Sequence, residues 1–179
     1  MHNWLRKNPN VRTIRVAAAD LNGVPRGKRI PTRFADKITQ EGTRFPFSVL
    51  NLDIWGEDID DSPLVFDSGD RDGVLKPTER GFMPMPWLES PSALLPIWMF
   101  REDGRPFEGD PRHALRAVLD RYKARGLTPV CAVELEFFLI DDSGRNLQVP
   151  LSPRSGKRRK AAETMSIRAL DQFDTFFTD

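Results

Sequence analysis

The eleven residues Val130–Ile140 constrain this chain more than any other stretch, because their side-chain pattern suits a β-strand. Successive side chains on a strand point to opposite faces. One face then carries Cys131, Val133, Leu135, Phe137 and Leu139, all apolar; the other carries Val130, Ala132, Glu134, Glu136, Phe138 and Ile140. Glu134 and Glu136 would stand roughly 7 Å apart along the strand, in the middle of an otherwise apolar face. Adjacent anions repel each other and resist desolvation unless something positive neutralises them. Divalent magnesium or manganese does so well, since hard cations take carboxylate oxygens. A half-buried strand whose glutamates face water, Arg or Lys explains the same spacing, and spacing alone leaves both readings open.

What precedes this segment sharpens it. Asp110 suits an N-cap, Pro111 suits the first helical turn, and Ala114, Leu115, Val118, Leu119 and Tyr122 recur at helical spacing. The pattern predicts a helix over 110–125 ended by Gly126, a turn at Leu127-Thr128-Pro129, and then the strand over 130–140. Cys131, on the apolar face, reads as a small core residue rather than a nucleophile.

Nearer the N-terminus, Val11–Leu21 is rich in β-branched residues and stops at Asn22-Gly23, which predicts a hairpin with a type I′ turn and Arg26–Ile30 as the returning strand. Thr32–Glu41 reads as a short helix, capped by Thr32, with Phe34 and Ile38 one turn apart and Gly42 closing it. Phe47–Trp55 and Leu94–Phe100 are further strand candidates. Between them Pro63, Gly69, Gly73, Pro77, Gly81, Pro84, Pro86 and Pro91 preclude a long helix. Hairpin, helix and strands describe an α+β domain ending near Gly104-Arg105-Pro106, which divides the chain into 1–104 and 105–179. Beyond the strand over 130–140, Asp141–Gly144 is a turn and Ser152–Lys160 a basic, mobile loop. Leu170, Phe173, Phe176 and Phe177 follow at helix-like spacing, and rings at the end of a chain need a surface to cover, so the chain reads as interrupted.

Composition narrows the function classes. The 179 residues carry 27 Lys plus Arg against 26 Asp plus Glu, a net charge of +1, so no overall field gathers nucleic acid or an anionic membrane. With two histidines and one cysteine, a zinc site of the usual kind and an internal disulfide both drop out, and the lone Cys131 suits a reducing compartment. No apolar run is long enough to span a bilayer and the N-terminus lacks a secretory apolar stretch, so a cytoplasmic protein is expected.

Three look-alikes are set aside. Gly23-Val24-Pro25-Arg26-Gly27-Lys28-Arg29 resembles a phosphate-binding loop, but its glycines are too close, Arg29 stands where Ser or Thr would reach magnesium, and it bridges two strands. Asp53, Asp58, Asp60 and Asp61 lack the regular spacing of a calcium loop. Lys157-Arg158-Arg159-Lys160 has no interleaved aromatics, so it reads as a solvated loop rather than a nucleic-acid contact.

Taken together, Asp20-Leu21-Asn22-Gly23-Val24-Pro25-Arg26-Gly27-Lys28-Arg29-Ile30-Pro31 resembles the opening hairpin of the β-grasp domain of the glutamine synthetase superfamily. Asp110-Pro111-Arg112 and its helix resemble the start of that family's catalytic domain. Val133-Glu134-Leu135-Glu136-Phe137-Phe138-Leu139 resembles its Glu-x-Glu-Phe-Phe-Leu strand, the most specific of the three. Ser48–Gly56 and Gly69-Asp70-Arg71-Asp72 look more like the γ-glutamylpolyamine synthetase branch than the ammonia-using enzymes.

The resemblance implies an α+β fold, with an N-terminal β-grasp domain over 1–104 and the beginning of the catalytic domain over 105–179. It implies an ATP-dependent ligase in which ATP, with magnesium or manganese, phosphorylates the γ-carboxylate of glutamate and an amine or ammonia then displaces phosphate. Glu134 and Glu136 would be metal ligands. Ammonia-using relatives carry an Asp-Gly-Ser-Ser type loop that one subunit inserts into its neighbour's active site; Asp53 is the candidate for that carboxylate, although the local sequence differs. The family's remaining metal ligands, ATP contacts and glutamate-binding arginines lie beyond the residues present. A ring-shaped homo-oligomer is expected of the full-length protein, and the 179-residue chain alone is expected to be inactive. The rival expectations are a non-catalytic β-grasp interaction module and a degenerate regulatory paralogue.

Overall fold

Residues 13–19, Thr-Ile-Arg-Val-Ala-Ala-Ala, place every second side chain on one side, and in the computed structural model Ile14, Val16 and Ala18 are buried while their neighbours are not. That alternation makes strand β1 (Thr13–Ala19) one wall of a core. The structure describes residues 2–160 and 163–178, which fall into two compact units, Met1–Pro129 and Val130–Asp179.

In the first unit, helix α1 (His2–Lys7) leads into β1, which pairs antiparallel with β2 (Pro25–Pro31). A short 3-10 turn at Thr32–Phe34 runs into α2 (Ala35–Glu41), followed by β3 (Thr43–Pro46), β4 (Asp72–Pro77), β5 (Met83–Pro84), β6 (Ser92–Phe100) and α3 (Pro111–Lys123). The strands form one mixed six-stranded sheet in the order β2-β1-β6-β4-β3, with β5 against the first half of β6. β1 and β6 run parallel, with Thr13 opposite Ser92 and Ala17 opposite Pro96; the other pairings are antiparallel. Ala93, Leu95, Ile97 and Met99 line one face of β6 and meet Ile14, Val16, Leu75, Phe45, Phe47, Phe82, Phe107 and, from α2, Ala35 and Ile38. Trp4 of α1 stacks on Phe82 with ring centres 5.6 Å apart, which ties the N-terminal helix to this core.

Several expectations hold and several change. The hairpin and the helix over 110–125 are present, the latter as α3 with the Asp110 carboxylate capping Arg112 N at 2.9 Å. The turn after β1 is not type I′: of its two central residues only Gly23 has a positive φ, +76°. The connection spans five residues because Asp20 replaces the tight turn, its Oδ1 accepting from the backbone N–H of both Asn22 and Val24 at 2.8 Å. Thr32 does not cap α2; its hydroxyl donates to Val11 O at 2.9 Å instead. Phe47–Trp55 is not a strand. Phe47–Leu50 winds into a 3-10 turn that buries Phe47 and Leu50 together, a burial that two residues three apart achieve on a turn and not on a strand. The breaker-rich stretch holds no long helix, as expected, yet β4 and β5 lie within it.

In the second unit, α4 (Ile167–Leu170) passes through a 3-10 turn at Asp171–Phe173 into α5 (Asp174–Thr178). The basic stretch is anchored rather than free: Arg158 pairs with Asp141 at 2.7 Å and also donates to Val149 O, while buried Ser152 closes a turn on Gly156. The strand expected over 130–140 does not form. A strand exists only where a neighbour takes its N–H and C=O groups, and no ladder among the described residues includes these positions. Val130, Val133, Leu135 and Phe138 are exposed, Phe138 at 93%, and Cys131 is exposed rather than in a core.

Candidate functional site

The Asp53 loop is built from the β1–β2 turn. Asp20 is buried at the end of β1, and burial alone would push its pKa up. The Arg26 guanidinium, donating to Oδ2 at 2.8 Å, and the N–H groups of Val24 and Asn22 outweigh that and hold it below the usual carboxylate range. The turn so fixed reaches across to residues 50–57: Leu21 N donates to Leu50 O at 3.1 Å, and the Asn22 amide donates to Leu52 O at 2.9 Å and Asp53 O at 3.0 Å. The loop then closes on itself. Asp53 Oδ1 accepts from Trp55 N at 2.8 Å and Glu57 N at 2.9 Å, and Asp53 N donates to Glu57 O at 3.0 Å. The Glu57 N–H is the main cause holding the Asp53 carboxyl below its ordinary pKa, with Trp55, Gly56 and the nearby Arg26 charge adding to it. At its tip Ile54 and Trp55 stand out into solvent, Trp55 at 82%. The result is an ionised carboxylate in a backbone cradle on an exposed loop.

Glu134 and Glu136 are both exposed, in the second unit. Their chemistry suits a hard divalent cation. Among the described residues, however, no group of three or more His, Cys, Asp or Glu side chains comes together, so the two glutamates are at most part of a metal site. The His113 ring packs against Trp98 and Phe100, centres 5.0 and 4.8 Å apart. Nor is any helix among the described residues long and apolar enough to cross a membrane.

Against known proteins, residues 108–179 match the glutamine synthetase catalytic domain. Over 179 residues the chain is 34% identical to γ-glutamylputrescine synthetase of Escherichia coli K12, an alignment covering 98% of this chain and 38% of that protein. The chain belongs to the glutamine synthetase superfamily. Glutamine synthetase of Thermotoga maritima is 30% identical over 143 residues, covering 79% of this chain and 30% of that one. A solved GmaS–ADP complex superposes with a TM-score of 0.53 at 28% identity over 69% of this chain and 25% of that one. Residues 1–179 therefore span well under half the length of these superfamily members. The α+β sheet-and-helix architecture agrees with that membership.

Sequence reasoning named Asp53, which lies in the first unit, and Glu134 and Glu136, which lie in the second. It passed over Asp20, Arg26 and Asn22 as individual residues. Their signal was present in Asp20-Leu21-Asn22-Gly23: an Asp two residues before an Asn is an Asx-turn pattern, which competes with the type I′ turn that Asn-Gly suggests.

Proposed function

We propose that this chain is the N-terminal part of an ATP-dependent ligase that joins glutamate to an amine or ammonia through γ-glutamyl phosphate, in the cytoplasm and as a ring of like subunits. The 34% identity to γ-glutamylputrescine synthetase across nearly the whole chain carries this reading and favours an amine over ammonia. In it, residues 1–104 are a β-grasp domain and 105–179 begin the catalytic domain. Glu134 and Glu136 would hold magnesium or manganese together with donors outside these residues, and the chemistry such a metal would supply is neutralisation of phosphate charge in phosphoryl transfer. Asp53 serves a neighbouring subunit's site. Its exposed loop and its ionised, backbone-cradled carboxylate support that role, because such a group stays charged and attracts an ammonium without reorganising.

The test has two arms. A frame that continues past codon 179 is expressed and assayed for ATP-dependent γ-glutamyl amide formation with ammonia and with putrescine; no amide from either amine sinks the proposal. Manganese is titrated into wild type and the Glu134→Gln, Glu136→Gln double variant. Weaker manganese binding in the variant supports the metal role, and equal binding removes it. For the 179-residue chain alone no activity is expected, and measurable amide formation would overturn that.

A further inference from the structure

Arg26 lies between two elements that are thirty residues apart in sequence. Its Nε is bonded to buried Asp20, and its guanidinium rests against Gly56: a Cβ built on Gly56 would stand 3.0 Å from Nη1 and 3.3 Å from Nη2. Gly56 has φ +88°, a conformation side chains rarely adopt, so a substitution there would be strained and would also crowd the arginine. Beside it the Asn22 side chain bonds two successive carbonyls of the same loop, those of Leu52 and Asp53. The five-residue turn therefore does more than reverse the chain between β1 and β2.

We propose that the β1–β2 turn and the start of β2 are the positioning element of the Asp53 loop, with Asn22 and Arg26 holding residues 52–57 in the one shape that cradles Asp53 and presents Trp55 outward. Arg26 is oriented by Asp20, a buried carboxylate that makes three bonds and so has a single placement. The loop inherits that placement. Without it and the Asn22 bonds, residues 53–57, of which Ile54, Trp55 and Glu57 are exposed, would be held by the bonds from Asp53 to its own neighbours, and local order of that kind is readily lost. The inference deepens the role proposed for Asp53 and rests on that reading for its bearing on activity, though the loop's order is measurable without it.

The charged group that acts on the Asp53 carboxylate is Arg26, itself paired with Asp20. Arg26→Gln, Arg26→Lys and Asn22→Ala are compared with wild type by carboxyl-carbon NMR titration of Asp53 and by the rate of proteolytic cleavage within 53–57. In Arg26→Gln the Asp53 midpoint is expected to rise toward the ordinary carboxylate value and cleavage to accelerate several-fold. Arg26→Lys restores the charge and brings the midpoint part of the way back. A folded Arg26→Gln protein with wild-type midpoint and cleavage rate overturns the proposal. If Arg26→Gln does not fold, because Asp20 is left buried without its partner, Asn22→Ala decides: faster cleavage with β1–β2 amide exchange unchanged supports the positioning role, and unchanged cleavage overturns it. Full activity in Asp53→Asn would remove the role of Asp53 and leave the loop measurements standing, so the two failures are separable.

Discussion

The carboxylate of Asp110 accepts from the backbone N–H of Met99 at 2.8 Å, and so fastens the start of α3 to the last turn-ward residues of β6. Asp110 is wholly buried, and its second oxygen caps Arg112 N at 2.9 Å, so one side chain satisfies a core strand and a helix terminus together.

Asp110→Ala is accordingly expected to lower stability by about 3 kcal/mol, combining a buried N–H left without a partner with the loss of an N-cap. Asp110→Asn keeps an acceptor and should lose about half as much. Urea denaturation followed by tryptophan fluorescence checks this; a loss below that of an ordinary surface substitution for Asp110→Ala would show the junction to be dispensable.

Gly27, opposite Ala17 in the β1–β2 ladder, has no room for a side chain: an added Cβ would lie 1.8 Å from Val16 O and 2.8 Å from Val16 C. Both atoms are backbone, so relief requires the strands to part. Gly27→Ala is expected to cost about 3 kcal/mol, the upper end of overpacking penalties, and to speed amide exchange in β1 and β2. A variant as stable as wild type would mean that the two strands are further apart in solution.

Glu134 and Glu136 are exposed, and substitution there should leave the fold alone. The Glu134→Gln, Glu136→Gln protein is expected to unfold within about 0.5 kcal/mol of wild type. Any loss of manganese binding in that variant then reports on ligation rather than on folding. Calorimetric melting without metal supplies the comparison, and a large drop in melting temperature would show that the glutamates hold structure.

Asp141 carries a pH dependence of known sign. The Ser143 hydroxyl, the Arg158 guanidinium and the Ser143 N–H pull its pKa down from 3.8 to about 2. A depressed carboxylate stabilises the folded state above its unfolded pKa, and that contribution fades as pH falls through the folded value. The Asp141–Arg158 clasp should therefore persist through mild acid and open only near pH 2. Carboxyl-carbon titration of Asp141 measures it directly, and Arg158→Gln should move the midpoint upward; a midpoint at the ordinary carboxylate value in wild type would show that the clasp does not form.

Local patterns carried the elements whose stability is local. β1 was legible from its β-branched run, α3 from Asp110-Pro111 and its apolar spacing, and β6 from its apolar run. What escaped was decided by distant partners. β4 has only Val74 and Leu75 as strand formers among Gly73 and Pro77, and it is a strand because β3 and β6 flank it. Phe47–Leu50 curls because a core formed by other strands accepts both side chains on one side. Val130–Ile140 shows the converse: its residues favour a strand, but propensity supplies no partner for its backbone. Of the site, the chemistry-bearing carboxylates were readable as residue types. The Arg26–Gly56 approach was not, since nothing in either segment encodes a neighbour thirty residues away.

The parallel pairing of β1 with β6 has a kinetic consequence. Thr13 and Ser92, whose hydroxyls lie 2.9 Å apart, are separated by 79 residues, so the centre of the sheet closes only when the chain between them has been gathered in. The β1–β2 hairpin needs no such closure and forms on a much shorter timescale. As the chain emerges from the ribosome, that hairpin waits with Ile14, Val16 and Ala18 uncovered until β6 follows. Slow translation before residue 92 would lengthen the interval in which this apolar face is open to other chains, so the yield of soluble protein should respond to codon choice between β2 and β6 more than to codon choice after it.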